Sequence, residues 1–437
     1  MQKTTSVASP ISGTGYKWVI VVLLWIVSFF NYADRSAITA IFPVLQTTYH
    51  FNNAELGLLG SSFLWVYAFS APFVGFLGDR FKRKTVIVVG LIAWSIITFM
   101  TPFAGTIGVF IFLRGATGLG EASYYPSGTS MISDYHGPKT RSRALSLHQT
   151  AVFVGGIIGT TFAGYLADQL HWQYAFFIYG GAGIILALIL FFVMKEAPKG
   201  MSDHVAEAEK EEVKEEKVPV GVALKTPSVL LLSFVFFGAN FVTWALNTWV
   251  PDYMHTQYHL TLTGAAFAGT SSLQIASLLG VLFGGFLADF LYKRFQMIRF
   301  TILAAGLLLA TPFVFLIGQT LSVTLLIFCL IGAGFFKGMF DANIYAAMHQ
   351  VTLPNVRSTA VGFMTFVGFL GAGLAPLVIG VYSPALGLGP AMALTSVLYI
   401  IAGVPLLVFH ATISKDSRKL FTEADASTES IASAASD

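Results

Sequence analysis

The sequence predicts an all-α polytopic membrane protein with twelve transmembrane helices in two pseudo-symmetric six-helix halves. Three observations carry this. Twelve hydrophobic stretches long enough to cross a bilayer run through the chain. All but Arg35, Arg114 and Lys337 of its 25 Lys and Arg residues fall in every second gap between those stretches. Short motifs of the first half also recur in the second at ordered offsets.

A cytoplasmic segment, residues 1–17, opens the chain with Lys3 and Lys17. The first half, residues 18–194, holds apolar stretches near 18–46, 54–78, 85–104, 106–134, 142–168 and 172–194. The first of these is too long for a cleaved signal peptide and is expected to remain in the mature protein. Cations follow the second stretch, in 80–84, and the fourth, at Lys139, Arg141 and Arg143, whereas 49–53 and 169–171 carry none. Residues 195–226 include a run of alternating Glu and Lys over 207–217. So little apolar mass reads as a solvated cytoplasmic linker. The second half, residues 227–413, holds stretches near 227–252, 262–290, 298–317, 321–349, 356–382 and 389–413. Its alternate gaps carry Lys293, Arg294, Arg299 and Arg357, and a cytoplasmic tail, 414–437, begins with the cations of 415–419. The positive-inside rule then places both termini in the cytoplasm, in a plasma or bacterial inner membrane.

Composition excludes other classes. With 55% hydrophobic and 11% charged residues, a soluble enzyme would have an insoluble exterior. The net charge of +3 belongs to loops facing an anionic leaflet and gives no reason to expect nucleic acid. The lone Cys329 leaves no internal disulfide or thiol pair. His255 and His259, four residues apart, lack further ligands, so no metal site is expected. No phosphate-cradling Gly-x-x-x-x-Gly-Lys-Ser/Thr exists, which argues against an ATP-driven pump, and no cofactor is expected.

Gly75-Phe-Leu-Gly-Asp79 returns as Gly285-Phe-Leu-Ala-Asp289, an offset of 210. Arg141-Ser-Arg-Ala144 with Gly155 returns as Arg357-Ser-Thr-Ala360 with Gly371, an offset of 216. A parallel six-plus-six repeat suits a transporter that binds its substrate near the bilayer midplane, and a monomer suffices for that.

Whereas Glu55, Asp168 and Asp252 lie closer to the outer interface, six charges fall deep inside the apolar stretches: Asp34, Arg35, Arg114, Glu121, Lys337 and Asp341. Each would cost about 2.5–3.5 kcal/mol facing lipid, so they are expected to face a cavity or one another. Asn31, Asp34 and Arg35 share a helix face. Lys337 and Asp341, at i and i+4, are spaced to pair with each other, whereas Arg114 and Glu121 lie two turns apart, about 10 Å along a helix. Work on substrate or protons and structural pairing both remain open for these charges.

The loop Gly75-Phe-Leu-Gly-Asp-Arg-Phe-Lys-Arg-Lys84 resembles the loop-two signature of the major facilitator superfamily. Arg114-Gly-Ala-Thr-Gly-Leu-Gly-Glu121 and the glycines 155, 156, 159 and 164 resemble further elements of that superfamily. The resemblance implies the major facilitator fold, and a conformational role for Gly75, Asp79, Arg80, Arg83, Gly155, Gly159 and Asp289. Asn31-Tyr-Ala-Asp-Arg35, with Arg114, Gly120-Glu-Ala122 and Pro126, resembles the anion:cation symporter family, which carries sugar acids, hexuronates and related organic anions. That resemblance implies that Arg35 binds a substrate carboxylate, that Asp34 and Glu121 take up the coupling proton, and that Arg114 is a charge relay or structural partner. Gly120-Glu-Ala-Ser-Tyr124 is also similar to the spinster-type transporters, which are linked to lysolipids. Asn247 in the seventh stretch, and Lys337, Asp341 and Asn343 in the tenth, favour a small anion, with Tyr32 beside Arg35 as a further substrate contact. The expectation is proton-coupled symport of a small carboxylate, with sodium in place of the proton as the alternative. A lysolipid carrier stands second and a membrane receptor without flux third.

Overall fold

In a bilayer the backbone has no water to bond, so the long apolar runs must close their own hydrogen bonds as helices. The computed structural model describes residues 15–197, 226–292, 294–319, 322–353, 356–409 and 413. Residues 1–14, the linker over 198–225 and the tail from 414 lie outside the described residues, as do the side chains of Gly75, Asp79 and their neighbours in 75–79.

The first half contains α1 (Tyr16–Ala40), α2 (Phe42–Tyr49), α3 (Asn53–Arg80), α4 (Arg83–Met100), α5 (Ile107–Glu121), α6 (Tyr124–Tyr135), α7 (Pro138–Gln169) and α8 (Gln173–Val193). After the linker come α9 (Pro227–Tyr258), α10 (Leu262–Tyr292), α11 (Ile298–Ile317), α12 (Val323–Gln350), α13 (Arg357–Leu386), α14 (Leu388–Leu394) and α15 (Ser396–Val408). Among the described residues, eleven helical segments are long and apolar enough to span a membrane. The expected fourth span is present but broken: it comprises α5 and α6, separated at Ala122 and Ser123. Pro126 has no N–H for the Ala122 carbonyl, and the Ser123 hydroxyl donates to the Gly120 carbonyl at 2.7 Å, so the helix tightens there.

By contacts the chain divides into two compact units, one of residues 1–44 and 66–213, the other of 45–65 and 214–437. In the first unit α1 packs on α7 and α4 on α8. The α1–α7 seam is backbone to backbone. A Cβ at Gly155 would lie 2.5 Å from the Phe29 carbonyl oxygen, and one at Gly159 would overlap the Ala33 backbone. Gly159→Leu should therefore separate the two helices and cost about 1–3 kcal/mol or more. The expected result is a clearly lowered unfolding temperature by differential scanning fluorimetry, and an unchanged midpoint would refute the seam.

The loop between α3 and α4 is tied down in the same unit. Arg83 pairs with Asp134 and donates from Nη1 to the Ser130 carbonyl at 3.0 Å. Glu196, just past α8, accepts from the backbone N–H groups of Arg83 and Lys84, both at 2.8 Å, and so caps the start of α4. A carboxylate there meets two orphan donors and the positive end of the helix dipole. Glu196→Ala should cost about 1–2 kcal/mol, read as a drop of a few degrees in the same melt, with Glu196→Asp recovering part of it.

In the second unit α10 packs on α12 and α9 on α13. The first turns of α3 belong here: Gly57 lies against the Pro376 carbonyl, and Ser61 Oγ accepts from the Leu377 amide at 3.1 Å. Trp249 Nε1 donates to the same Pro376 carbonyl at 3.1 Å. Asp289, the repeat counterpart of the loop-two acid, is exposed and pairs with Arg299 at 3.4 Å, a contact worth little in water.

Candidate functional site

Both units hold a polar constellation. In the first unit α1, α3, α4 and α5 converge on four buried charges: Asp34, Arg35, Arg114 and Glu121 are 3%, 5%, 4% and 1% exposed. Two acids and two bases give no net charge, the condition for burying so many away from water. Arg35 donates to Glu121 Oε2 from Nη2 at 2.7 Å and from Nε at 3.1 Å, and Nη2 also donates to Asn31 Oδ1 at 3.2 Å. Its guanidinium lies 4.5 Å from the ring centre of Tyr32 and 5.0 Å from that of Tyr67. The cation is thus held by two aromatic rings and by a carboxylate.

Asp34 sits beside Glu121 and Arg114 and accepts from Thr98 Oγ1 at 2.9 Å. Arg114 Nη2 donates to the Arg35 carbonyl at 3.1 Å, bracing the backbone of α1. Asp34 Oδ1 and Glu121 Oε1 are buried without a hydrogen-bond partner among the described residues. Each can accept a further donor, and a protonated carboxyl would supply one to its neighbour.

The second unit contains a pocket lined by Thr243, Leu246, Asn247, Leu273, Gln274, Ser277, Ala333, Gly334, Lys337, Asp341 and Tyr399. Lys337 Nζ pairs with Asp341 Oδ1 at 2.6 Å within α12 and lies 5.3 Å from the Phe340 ring centre. Hydroxyls, two side-chain amides and one ion pair surround a partly apolar floor. Such a lining fits a small polar molecule with several hydroxyls or carboxylates.

The structure thus brings Asn31, Tyr32, Asp34, Arg35, Arg114 and Glu121 together in one unit, and Asn247, Lys337 and Asp341 in the other. Asn343 does not line the pocket: its amide donates to the Gly284 carbonyl at 3.2 Å and to Met339 at 3.0 Å, fastening α12 to α10. That seam is too tight for its side chain to reach the pocket, since Gly284 packs its backbone on Met339. Sequence reasoning missed Tyr67 and Thr98, and Thr243, Gln274, Ser277 and Tyr399. All are uncharged residues inside apolar stretches, where only a tertiary contact distinguishes a ligand-facing hydroxyl from one bonded back to its own helix.

The chain resembles known proteins along most of its length. The family model described as Major Facilitator Superfamily matches residues 24–376 and 270–435. Protein spinster homolog 1 of Xenopus laevis is 29% identical over 396 residues, covering 85% of this chain and 74% of that protein. The D-galactonate transporter of Escherichia coli O6:H1 is 24% identical over 421 residues, covering 91% and 96%. Among solved structures, a bacterial homolog of the human lysosomal transporter spinster superposes with a TM-score of 0.82 at 24% identity, covering 92% of this chain and 99% of that one. Helices of spanning length, buried intramembrane charges and the match along the chain lead to one statement: this protein belongs to the Major Facilitator Superfamily and is an integral membrane transporter.

Proposed function

We propose that the protein is a proton-coupled symporter of a small organic anion, a sugar acid or similar carboxylate, working by alternating access. The observation that supports this most is the state of Arg35. Glu121 meets it through a single oxygen, Oε2, while Glu121 Oε1 and Asp34 Oδ1, without partners among the described residues, are placed to share a proton. Protonation would loosen Glu121 from Arg35, and the guanidinium fork would take a substrate carboxylate instead. Deprotonation would reverse the exchange. Anion and proton then travel as a neutral pair, which suits a low-dielectric path.

The pocket of the second unit, with Asn247, Gln274 and the Lys337–Asp341 pair, offers partners of the kind a polyhydroxylated acid needs. It is less suited to a lysolipid tail, although relatives named spinster share 29% identity with this chain. By the positive-inside distribution of cations both termini face the cytoplasm.

The test uses purified protein in liposomes with a trapped pH dye, challenged from outside with a panel of carboxylates that includes D-galactonate, the substrate named for the Escherichia coli relative. Lumenal acidification with one anion, above protein-free liposomes, is the expected result. Silence across the panel, together with competition by lysolipids for binding, would overturn the reading in favour of an amphiphile carrier.

A further inference from the structure

His148 has no part in the mechanism so far, yet it is a histidine 1% exposed in the middle of α7. Its Nε2 lies 2.7 Å from the Tyr124 hydroxyl, and that hydroxyl also donates to the Leu24 carbonyl of α1. A phenol has one proton. While Tyr124 gives it to Leu24, the bond to His148 requires a proton on Nε2, so the two side chains form a directed donor chain. The titratable groups that face His148 are Tyr124 and Tyr125, both on α6, with ring centres 5.9 and 6.1 Å away. Its link to α1 runs through Tyr124, at the uncharged Leu24 carbonyl.

The chain leads toward the carboxyl pair. Ser28 Oγ lies beside the Tyr124 hydroxyl, outside good hydrogen-bonding geometry, and is buried without another partner among the described residues. One turn further along α1, Asn31 accepts from Arg35 while its Nδ2 is buried without a partner among the described residues, and after it come Asp34 Oδ1 and Glu121 Oε1 in the same condition. Ser28 Oγ, Asn31 Nδ2 and Asp34 Oδ1 on α1 and Glu121 Oε1 on α5 are thus four buried polar atoms without a partner among the described residues, and ordered water commonly bridges buried groups of this kind. Tyr124 is also three residues beyond Glu121, past the break between α5 and α6.

We infer that His148 and Tyr124 form a proton relay at one end of a hydrated column, through which the Asp34–Glu121 pair exchanges protons with water at the N-terminal end of α7. His148 acts through Tyr124 and is a positioning and proton-passing residue, with no contact to the transported anion. The step balances without any other reactant. A proton added at Nδ1 makes the imidazolium, Nε2 passes its proton to the Tyr124 oxygen, and Tyr124 releases its own to the water beside Ser28. The reverse sequence carries a proton out. This inference rests on the proton-coupled reading above.

The test needs no substrate. In wild-type protein in nanodiscs, infrared spectroscopy after a rapid change from H₂O to D₂O reads how fast a buried carboxyl C=O band shifts. Glu121→Gln identifies the band by removing it. The expected result is exchange at least tenfold slower in His148→Gln, which keeps a donor for Tyr124 but cannot ionise. Added imidazole should restore the rate in that variant, a rescue that a merely structural role would not give. Unchanged exchange in His148→Gln overturns the relay and leaves the proton site standing; a spectrum with no band sensitive to Glu121→Gln between pH 5 and pH 8 overturns the proton-coupled reading itself. If the variant does not fold, X-ray hydroxyl-radical footprinting of wild-type protein decides. Tyr124 and His148 should be oxidised while the equally buried Phe300 and Phe340 are not. Protection of all four overturns the hydrated column.

Discussion

Arg35→Ala should weaken anion binding and uptake by about a hundredfold or more, because removing one member of a buried ion pair costs about 3–5 kcal/mol and also removes the carboxylate-binding fork. The loss leaves Glu121 and Asp34 facing Arg114 alone, so thermal stability should fall as well. Arg35→Lys separates the two effects. It keeps the charge and much of the stability, but an ammonium cannot present the planar fork of donors that a guanidinium offers beside Tyr32 and Tyr67. Its uptake should stay well below wild type in proteoliposomes. Wild-type affinity in Arg35→Ala would show that the cation serves the bundle only.

Glu121→Gln should divide transport in a different way. The amide keeps a carbonyl oxygen for Arg35 to bond but cannot gain or lose a proton. Exchange of labelled for unlabelled anion across the membrane should persist, whereas accumulation driven by a pH gradient should vanish. Both are measured in the same vesicles, so protein amount cancels. If exchange is lost together with accumulation, Glu121 is a structural partner of Arg35 and the proton is carried elsewhere.

Spans and charges were legible in the chain because their signals are local. A run of about 20 apolar residues has one stable form in lipid, and a charge inside it is conspicuous. That is why Asp34, Arg35, Arg114 and Glu121 could be singled out before any geometry. The pairing itself was not legible. Arg114 and Glu121 share a helix, yet Arg35 on α1 takes the Glu121 carboxylate, and Arg114 turns to the α1 backbone. Pro126 was visible, but its consequence, the break just after Glu121, depends on how Ser123 bonds back to Gly120. Asn343 looked like a ligand because of its place near Lys337, and one turn of helix phase sends it into the α10–α12 seam instead. Glu196 read as part of a solvated linker; only the fold brings it to the first amides of α4.

The contact of α1 with α7 at Gly155 and Gly159 has a mechanical meaning. Side chains can change rotamer to let two helices slip, but where backbone touches backbone nothing can rearrange, so α1 and α7 must travel as one stiff beam. Asp34 and Arg35 ride on one member of that beam and His148 on the other, which fixes the spacing between the Asp34 carboxyl and the imidazole, while Glu121 and Tyr124 belong to helices outside it.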